Sequence, residues 1–256
     1  MAAPPDAPPR LRLAGISKSF PGVKANDDIS FSVRSGEIHG LIGENGAGKS
    51  TLVKIIYGVQ QADEGEIGWE GRPIQIPNPK AARRLGIGMV FQHFNLVHRS
   101  KVITNVLAGR LGYINPAWSL LNRFPKADIE KAIKQMERVG IADKADHRAD
   151  ELSGGQQQRV GIARALMQDP EMILADEPVA SLDPVLAHSI MKHLEDINDK
   201  DGVTVLCSLH FLDLVHRYAD RVVALNAGQL VFEGLPNEID DKKFKDIYGR
   251  DAERVG

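Results

Sequence analysis

The sequence predicts an α/β fold built around a parallel β-sheet. Two short apolar runs, "EMILAD" and "VTVLCSL", each follow a helical stretch and a turn, which is typical of parallel strands buried on both faces. A third run, "EIHGLIG", enters a glycine loop, and the "STLVKIIYG" that follows predicts a helix ending at Gly58. In a chain of 256 residues, this pattern predicts one large domain or a core with an added lobe.

Two further segments predict strands of other kinds. In "ISFSV", Ile29, Phe31 and Val33 alternate with serines, which is the period-2 pattern of a half-buried strand. Near the end of the chain, "VVALNAGQLVFEG" predicts a hairpin that turns at "NAG". Residues 1–10 are rich in proline and alanine and predict a flexible tail.

The middle of the chain carries mainly helical and loop signals. In "ADIEKAIKQMERVG", helical spacing aligns four apolar side chains on one side, and Gly140 ends the helix. These four are Ile129, Ile133, Met136 and Val139. We therefore expect a single domain over 11–256, with a core of 11–92 and 161–256 and an inserted helical subdomain of about 93–160.

Composition excludes several classes of protein. The formal net charge of −2 gives no bulk electrostatic reason to expect a nucleic-acid partner. The single cysteine, Cys207, excludes an internal disulfide and a multi-cysteine zinc site, and we expect it to pack as a small hydrophobe. No run approaches 18 apolar residues, so we expect a chain that does not span a bilayer and is soluble when isolated.

A phosphate-binding loop is predicted where the third apolar run ends. "GENGAGKS" matches G-x-x-x-x-G-K-[ST], in which glycines let backbone N–H groups approach phosphate oxygens. Lys49 supplies a cation for the terminal phosphates, and the Ser50 hydroxyl is suited to Mg²⁺. A glycine turn that only caps a helix is the alternative, but the strand before and the helix after favour a P-loop that binds a nucleotide's phosphates and Mg²⁺. The predicted binding residues are Gly43, Glu44, Asn45, Gly46, Ala47, Gly48, Lys49, Ser50 and Thr51.

Two carboxylates follow the predicted strand in "MILADEP". Ligands of α/β proteins bind at the carboxyl edge of the sheet, which is where Asp176 and Glu177 are expected. Asp176 is suited to hold Mg²⁺, and Glu177 to polarise an attacking water. Alternatively, the two carboxylates cap the turn at Pro178. The neighbouring phosphate loop favours the catalytic interpretation.

A second glycine-rich loop, "LSGGQQQR" at 152–159, begins another predicted helix. Together with the phosphate loop and "LADEP", it resembles the signature of the ATP-binding subunit of ATP-binding cassette (ABC) transporters, and the resemblance extends from about residue 11 to 240. It implies a RecA-like parallel core with an antiparallel β subdomain and an inserted α-helical subdomain. It also implies a head-to-tail dimer, in which the signature of one copy binds the ATP held by the other. The residues implied to do so are Ser153, Gly154, Gly155 and Gln156.

The same resemblance implies roles for four other residues. Gln92 in "MVFQHF" matches a residue that senses Mg²⁺, rather than a solvated loop amide. Asp183 in "SLDP" matches a loop that crosses to the other subunit. His210 in "SLH" matches a switch histidine at the γ-phosphate, with a structural histidine as the alternative. Phe20 in "KSFPG" stands where an aromatic stacks on adenine, although it could also be a core residue. With Lys49 and Glu177, Gln92 and His210 complete the predicted catalytic set.

The implied partners are membrane permease subunits and, indirectly, a periplasmic or surface substrate-binding protein. The implied location is the cytoplasmic face of the membrane. From "FQHFNLV" onward the chain resembles phosphonate-importer ATPases, whereas the earlier part resembles sugar and purine-nucleoside importer ATPases. One hypothesis is therefore a recombinant or engineered hybrid joined near residue 90. Phosphonate is the expected cargo, with nucleoside or sugar import as the alternative.

Two other functional classes remain as alternatives. Cassette ATPases that act on DNA or the ribosome carry long coiled-coil insertions, zinc-binding cysteines or two cassettes, and none of these is present here. A non-catalytic nucleotide-binding module is expected to lack Glu177 or His210, and both are present. The sequence therefore favours a transport ATPase.

Overall fold

A computed structural model describes residues 7–92, 95–113 and 124–249. Residues 1–6 of the predicted tail, 93–94 and 114–123 of the predicted helical subdomain, and 250–256 therefore lie outside the described residues. The described strands are β1 Leu11–Phe20, β2 Val23–Val33, β3 Ile38–Ile42, β4 Glu64–Trp69, β5 Arg72–Ile74, β6 Ile87–Val90, β7 Met172–Ala175, β8 Thr204–Ser208, β9 Arg221–Asn226 and β10 Gln229–Gly234. The described α-helices are α1 Lys49–Ile56, α2 Pro79–Arg84, α3 Val102–Leu107, α4 Lys126–Arg138, α5 Gly154–Leu166, α6 Pro184–Asp201, α7 Leu212–Tyr218 and α8 Asp241–Tyr248.

The larger sheet has the order β10-β9-β3-β8-β7-β6. Its strands run parallel from β9 to β6, and only β10 is antiparallel to its neighbour. Every residue of β3, β6, β7 and β8 is buried, as continuous apolar strands covered on both faces should be. The predicted parallel sheet is confirmed, and the carboxyl ends of these four strands lie side by side at one edge.

The predicted hairpin near the end of the chain is also confirmed. β9 and β10 pair through an Asn226–Gln229 register, which leaves Ala227 and Gly228 as the two turn residues. Both have positive φ, 47° and 80°, as a type I′ turn requires. This turn touches strand β2, because Gly228 O accepts a hydrogen bond of 2.8 Å from Asp27 N.

A second sheet is antiparallel, with the order β2-β1-β4-β5. The predicted alternation holds in β2, where Ile29, Phe31 and Val33 are buried and Ser30 is exposed. Its apolar face shares one hydrophobic cluster with α1 and with one face of the parallel sheet. The helices α3 to α7 share a second cluster with the opposite face.

The buried face of α4 differs from the prediction. Met136 and Val139 are buried, Ile129 is half-buried, and Ile133 is exposed. The expected stripe at Ile133 is therefore wrong, because the helix turns Asp128, Ala132 and Gln135 inward instead. These three side chains are buried.

The end of the predicted flexible tail is held by contacts of Arg10. Its guanidinium pairs with Glu70 and Glu171 and lies 5.6 Å from the centroid of the Trp69 ring. The expected boundary at residue 160 falls inside α5. Within the described residues, no helix has the length and apolar character needed to cross a membrane.

Candidate active site

The phosphate loop, residues 43–50, connects β3 to α1 and is packed against neighbouring backbone. Gly43, Gly46 and Gly48 have φ values of 143°, 85° and 97°, which side-chain-bearing residues rarely adopt. A Cβ atom on Gly43 would lie 2.1 Å from Leu225 O, and one on Gly48 would lie 2.1 Å from Ala25 O. These two glycines are therefore required by both conformation and space.

Lys49 lies at the mouth of this loop and is 3% exposed. Its ammonium donates hydrogen bonds of 2.8 Å to the carbonyl oxygens of Gly43 and Glu44. Burial lowers the pKa of Lys49, and the nearby negative charges of Glu177 and Asp176 oppose that shift. The ammonium is therefore held at the loop by carbonyl groups that phosphate oxygens can replace.

The other predicted loop residues divide by exposure. Glu44, Asn45 and Gly46 are exposed, whereas Ala47 is buried and Thr51 is half-buried. A groove of about 320 Å³ opens beside the loop. It is lined by Phe20, Val23, Ala25, Gly46, Gly48, Lys49, Ser50, Thr51 and Glu177. The predicted adenine-stacking residue, the phosphate loop and the predicted catalytic carboxylate thus line a single groove.

Phe20 lines the groove and is 37% exposed, so the alternative that it is a core residue is not supported. Lys18 Nζ lies 5.7 Å from the centroid of its ring. The same ammonium donates a 2.6 Å hydrogen bond to Asp63, which fixes the end of β1 beside the groove. An exposed aromatic ring in this position can stack on a planar base.

Asp176 lies at the end of β7, with 5% of its surface exposed. The Ser50 hydroxyl donates a 2.8 Å hydrogen bond to its Oδ1 atom, and the Ser208 hydroxyl lies 3.1 Å from the same oxygen. The side chains that the sequence predicted for Mg²⁺, Ser50 and Asp176, are therefore in direct contact. Mg²⁺ binds through oxygen ligands, commonly one or two carboxylates with substrate phosphates and water. This hydroxyl–carboxylate pair at the edge of the groove fits that ligand set.

Glu177 is held by three polar partners. Gln92 Nε2 donates a 2.8 Å hydrogen bond to one carboxylate oxygen, and His210 Nε2 lies 2.6 Å from the other. The Glu177 backbone N–H donates a 2.8 Å hydrogen bond to the Ser208 hydroxyl. Glu177 also has a φ of 48°, a left-handed conformation that is uncommon for glutamate and directs the chain sharply at this point. Four residues predicted from three separate motifs, Gln92, Asp176, Glu177 and His210, are thus brought within one site.

Sheet topology explains this convergence. Gln92 follows β6, Asp176 and Glu177 follow β7, and His210 follows β8. Because β8, β7 and β6 follow β3 in order and run parallel to it, their carboxyl ends lie at the same edge of the sheet as the phosphate loop.

Ser208 is the residue of this site that sequence reasoning did not select. Its hydroxyl joins Asp176 to the backbone of Glu177, and the side chain is completely buried. A signal was present, since Ser208 ends the apolar run "VTVLCS" as Asp176 follows "MILA". Recognising it needs the strand order, which places β8 between β3 and β7.

The predicted signature residues lie at the start of α5. Ser153 caps this helix, because its hydroxyl accepts a hydrogen bond from Gln156 N while Gln156 Oε1 accepts a 2.9 Å bond from Ser153 N. Ser153 and Gly154 are exposed, whereas Gly155 is buried. None of the four lines the groove beside the phosphate loop in the described part of the chain.

The structure brings the signature into contact with the helix that Asp183 begins. The exposed Asp183 side chain caps α6 by accepting a 3.0 Å hydrogen bond from Leu186 N. The side chain of Leu186 packs on Gly155, since a Cβ atom there would lie 3.2 Å from Leu186 Cδ1. The two predicted inter-subunit elements are therefore in contact through Gly155 and Leu186.

Comparison with known proteins decides the family. A family model described as ABC transporter matches residues 26–180. The chain belongs to the ABC transporter family. A phosphonates import ATP-binding protein of Bacillus cereus is 47% identical over 247 residues, which cover 95% of this chain and 96% of that protein.

Solved structures agree with this assignment. An ATP-binding cassette of an ABC transporter in its ADP conformation has a TM-score of 0.81 at 36% identity, covering 95% of each chain. A dimeric bacterial ABC transporter cassette has a TM-score of 0.77 at 28% identity, covering 88% of this chain and 98% of that chain. The predicted P-loop NTPase fold is confirmed, and the chain is an ATP-binding ABC ATPase.

The hypothesis of a hybrid joined near residue 90 is not supported. An alignment of 247 residues with one phosphonate-importer protein includes sequence on both sides of that position. The sugar- or nucleoside-importer character expected of the first part therefore has no support in these comparisons.

Proposed function

We propose that this chain is the ATP-hydrolysing subunit of an ABC importer for phosphonates. The cargo proposal is supported by the Bacillus cereus relative, whose name gives phosphonate import and which aligns with nearly the whole chain. The observation that carries the catalytic part is the contact of Glu177 with Gln92 and His210 at the groove beside the phosphate loop.

ATP occupies this groove with its base on Phe20 and its phosphates against residues 43–51. Backbone N–H groups at the start of α1 face the phosphates, where the partial positive charge of the helix end favours anions. The Lys49 ammonium exchanges its two carbonyl partners for oxygens of the β- and γ-phosphates. Charge-assisted contacts of this kind are stronger than the neutral hydrogen bonds that they replace.

The Ser50 hydroxyl and Asp176 would hold Mg²⁺, directly or through water. Gln92 would add its amide oxygen, since its amide nitrogen is already used by Glu177. When bound, the ion neutralises charge on the β- and γ-phosphates. Ser208 keeps the Asp176 carboxylate turned toward Ser50.

Glu177 then positions the nucleophile. Its carboxylate accepts a hydrogen bond from a water and receives the proton as the water oxygen bonds to the γ-phosphorus. The bond between that phosphorus and the bridging oxygen of ADP breaks, which releases ADP and inorganic phosphate. His210 moves from Glu177 to the γ-phosphate, where it stabilises the developing charge.

The site is completed by a second copy of the chain in head-to-tail orientation. Ser153, Gly154, Gly155 and Gln156 of one copy close over the γ-phosphate bound by the other, and Asp183 lies in the same contact. Support comes from the exposure of Ser153, Gly154 and Asp183 and from the dimeric relative of 28% identity. A twofold arrangement gives two equivalent sites.

Membrane permease subunits are the other proposed partners, with a substrate-binding protein acting indirectly through them. The ATPase is then peripheral, on the cytoplasmic face of the membrane. Gln92 connects ATP hydrolysis with the permease, because it contacts Glu177 and begins the segment that leads into the helical region. Net charge gives no support for a nucleic-acid partner.

Turnover measured against protein concentration tests the two-chain site. A steeper-than-linear rise at low concentration is expected, because the monomer lacks half of each site. Strictly proportional turnover down to the concentration at which the protein is monomeric would contradict this proposal.

Growth tests the cargo. Cells lacking this gene should fail to grow on a phosphonate as sole phosphorus source, and wild-type protein but not Glu177→Gln should restore growth. Growth on inorganic phosphate is the control. Unimpaired growth on phosphonates without the gene would contradict phosphonate as cargo while leaving the ATPase untouched.

A further inference from the structure

Asn26 is a buried polar residue beside the phosphate loop that belongs to none of the motifs above. It lies on β2 and has no exposed surface. Its Nδ2 atom donates a 3.2 Å hydrogen bond to Gly48 O. Asn26 packs directly on Gly48, since a Cβ atom on Gly48 would lie 2.6 Å from Asn26 Nδ2.

The carbonyl that Asn26 binds is part of a phosphate-facing peptide. Gly48 O also accepts a 3.0 Å hydrogen bond from Leu52 N in the first turn of α1, so both of its acceptor directions are used. The same peptide unit contains the N–H group of Lys49, which in a trans peptide points opposite to the carbonyl. A carbonyl held toward Asn26 and Leu52 therefore turns the Lys49 N–H outward, to the groove.

The presence of an amide here carries a cost. Asn26 Oδ1 is buried and has no hydrogen-bond partner among the described residues. A buried unsatisfied acceptor is destabilising, and an apolar side chain would avoid that cost. In return, the amide nitrogen donates a hydrogen bond to Gly48 O.

The backbone around Asn26 is fixed by the β9–β10 turn. Gly228 N donates to Ala47 O at 3.3 Å, and Asp27 N donates to Gly228 O at 2.8 Å. Gln229 Nε2 adds a 3.0 Å hydrogen bond to the Asp27 side chain. Strand β2, the hairpin turn and the phosphate loop are therefore joined, and Asn26 acts from a rigid element.

We propose that Asn26 is a positioning residue that orients the Gly48–Lys49 peptide for phosphate binding. It acts through the backbone and sets the affinity for nucleotide di- and triphosphates, while the base contact at Phe20 is independent of it. This inference rests on the proposed phosphate-binding role of residues 43–51.

Fluorescent N-methylanthraniloyl derivatives of adenosine, ADP and ATP, titrated without Mg²⁺, test the proposal. Asn26→Leu and Asn26→Ala should bind ADP and ATP about 3- to 10-fold more weakly, which corresponds to one lost hydrogen bond. Adenosine affinity should not change. The alanine variant decides the matter alone if the larger leucine does not fold.

Asn198→Leu is the matched control. Asn198 is likewise buried and donates to backbone oxygens, Gly36 O at 3.0 Å and Val203 O at 2.8 Å, but lies outside the groove lining. This variant should bind all three probes as the wild type does. An equal loss with Asn198→Leu, an equal loss for adenosine, or no loss in the Asn26 variants would overturn the proposal.

The same titrations separate this inference from the proposed function. Wild-type protein should bind ADP more tightly than adenosine, and Lys49→Ala should lose much of that preference. If the wild type showed no preference, the phosphate loop itself would be wrongly assigned. If the wild type showed it and the Asn26 variants kept it in full, only the role of Asn26 would fail.

Discussion

The phosphate loop and the signature residues 153–156 are both glycine-rich and both begin a helix, yet their surroundings differ. The phosphate loop lies in a groove, and the ends of three other strands meet beside it, with Gln92 after β6, Asp176 and Glu177 after β7, and His210 after β8. The signature, in contrast, carries its own helix cap and packs on the neighbouring Leu186. Its exposed residues meet no cation, carboxylate or aromatic group of the groove in the described chain.

This difference shows that a glycine-rich helix start is not by itself a complete binding site. The phosphate loop receives its chemistry from four parallel strands within one chain, whereas, among the described residues, the signature has no such partners in the groove of its own chain. In the proposed head-to-tail dimer, each signature lies over the phosphate loop of the other copy, and the two regions form a single site. Substitutions in the two regions should therefore have different effects on binding and on turnover.

The largest expected effect is from Ser153→Arg. A long cationic side chain at the α5 cap should prevent closure over the γ-phosphate and reduce ATPase turnover to background, whereas ADP binding to the separate chain should stay as in the wild type. Turnover and nucleotide titration measure the two quantities. Asp240→Arg is the control, because Asp240 caps α8 through a 2.8 Å bond from Lys243 N and its loss costs only a helix cap, about 1 kcal/mol.

If Ser153→Arg turned over ATP normally, the signature would not form part of the site. Loss of ADP binding in the same variant would contradict the division between the two regions.

Glu177→Gln tests the groove beside the phosphate loop. Removing the group that accepts the proton should lower kcat about 10²- to 10⁴-fold, with ATP binding retained. The ATP-bound dimer should then accumulate and be visible by size-exclusion chromatography. Glu171→Gln is the control, since Glu171 lies just before the other end of β7 and contacts Arg10. Turnover of Glu177→Gln within a fewfold of the wild type would remove Glu177 from the mechanism.

The two regions also differ in how far the sequence predicts them. The phosphate loop is local in sequence, so its eight residues predict strand, loop and helix together, and the structure agrees. The signature is equally local, but its pairing with a second chain comes only from the family resemblance. The contact of Leu186 with Gly155 could not be read from spacing, because it joins segments that are distant along the chain.

Two errors of sequence reasoning have a common cause. The exposed Ile133 was placed on the buried face of α4 because apolar spacing alone ignores Asp128, which is buried in an ion pair with Arg110 at 3.1 Å. Ser208 was overlooked because a serine that ends a strand gains meaning only when the neighbouring strand carries Asp176 and Glu177. In both cases the deciding partner is distant in sequence.

Lys49→Ala should weaken ATP and ADP binding about 10- to 150-fold, because one charge-assisted contact contributes roughly 1.5–3 kcal/mol. Isothermal titration calorimetry without Mg²⁺ measures the loss of nucleotide affinity. Lys131→Ala is the control, because Lys131 also binds a backbone carbonyl, Met167 O at 3.0 Å, but lies on α4 outside the groove. Unchanged affinity in Lys49→Ala would contradict its assignment to the phosphates.

The smallest effect is expected from Ser208→Ala, which tests whether Ser208 orients Glu177 in the groove beside the phosphate loop. Without the hydroxyl, Asp176 keeps Ser50 as a partner, but the Glu177 N–H loses its acceptor. We expect kcat to fall about 3- to 10-fold, the value of one hydrogen bond, with ATP affinity unchanged. Thr204→Val is the control, because Thr204 is a buried hydroxyl at the other end of β8 that bonds to Gly36 N.

Both variants remove one buried hydroxyl from the same strand, so their losses of thermal stability should be similar. Only Ser208→Ala should lower kcat. Equal kcat values for the two variants would mean that Ser208 stabilises β8 without orienting Glu177, and the convergence of strand ends would then supply position but not orientation. A lower kcat for Ser208→Ala alone would show that the strand between the phosphate loop and the carboxylates contributes to catalysis as well as to the fold.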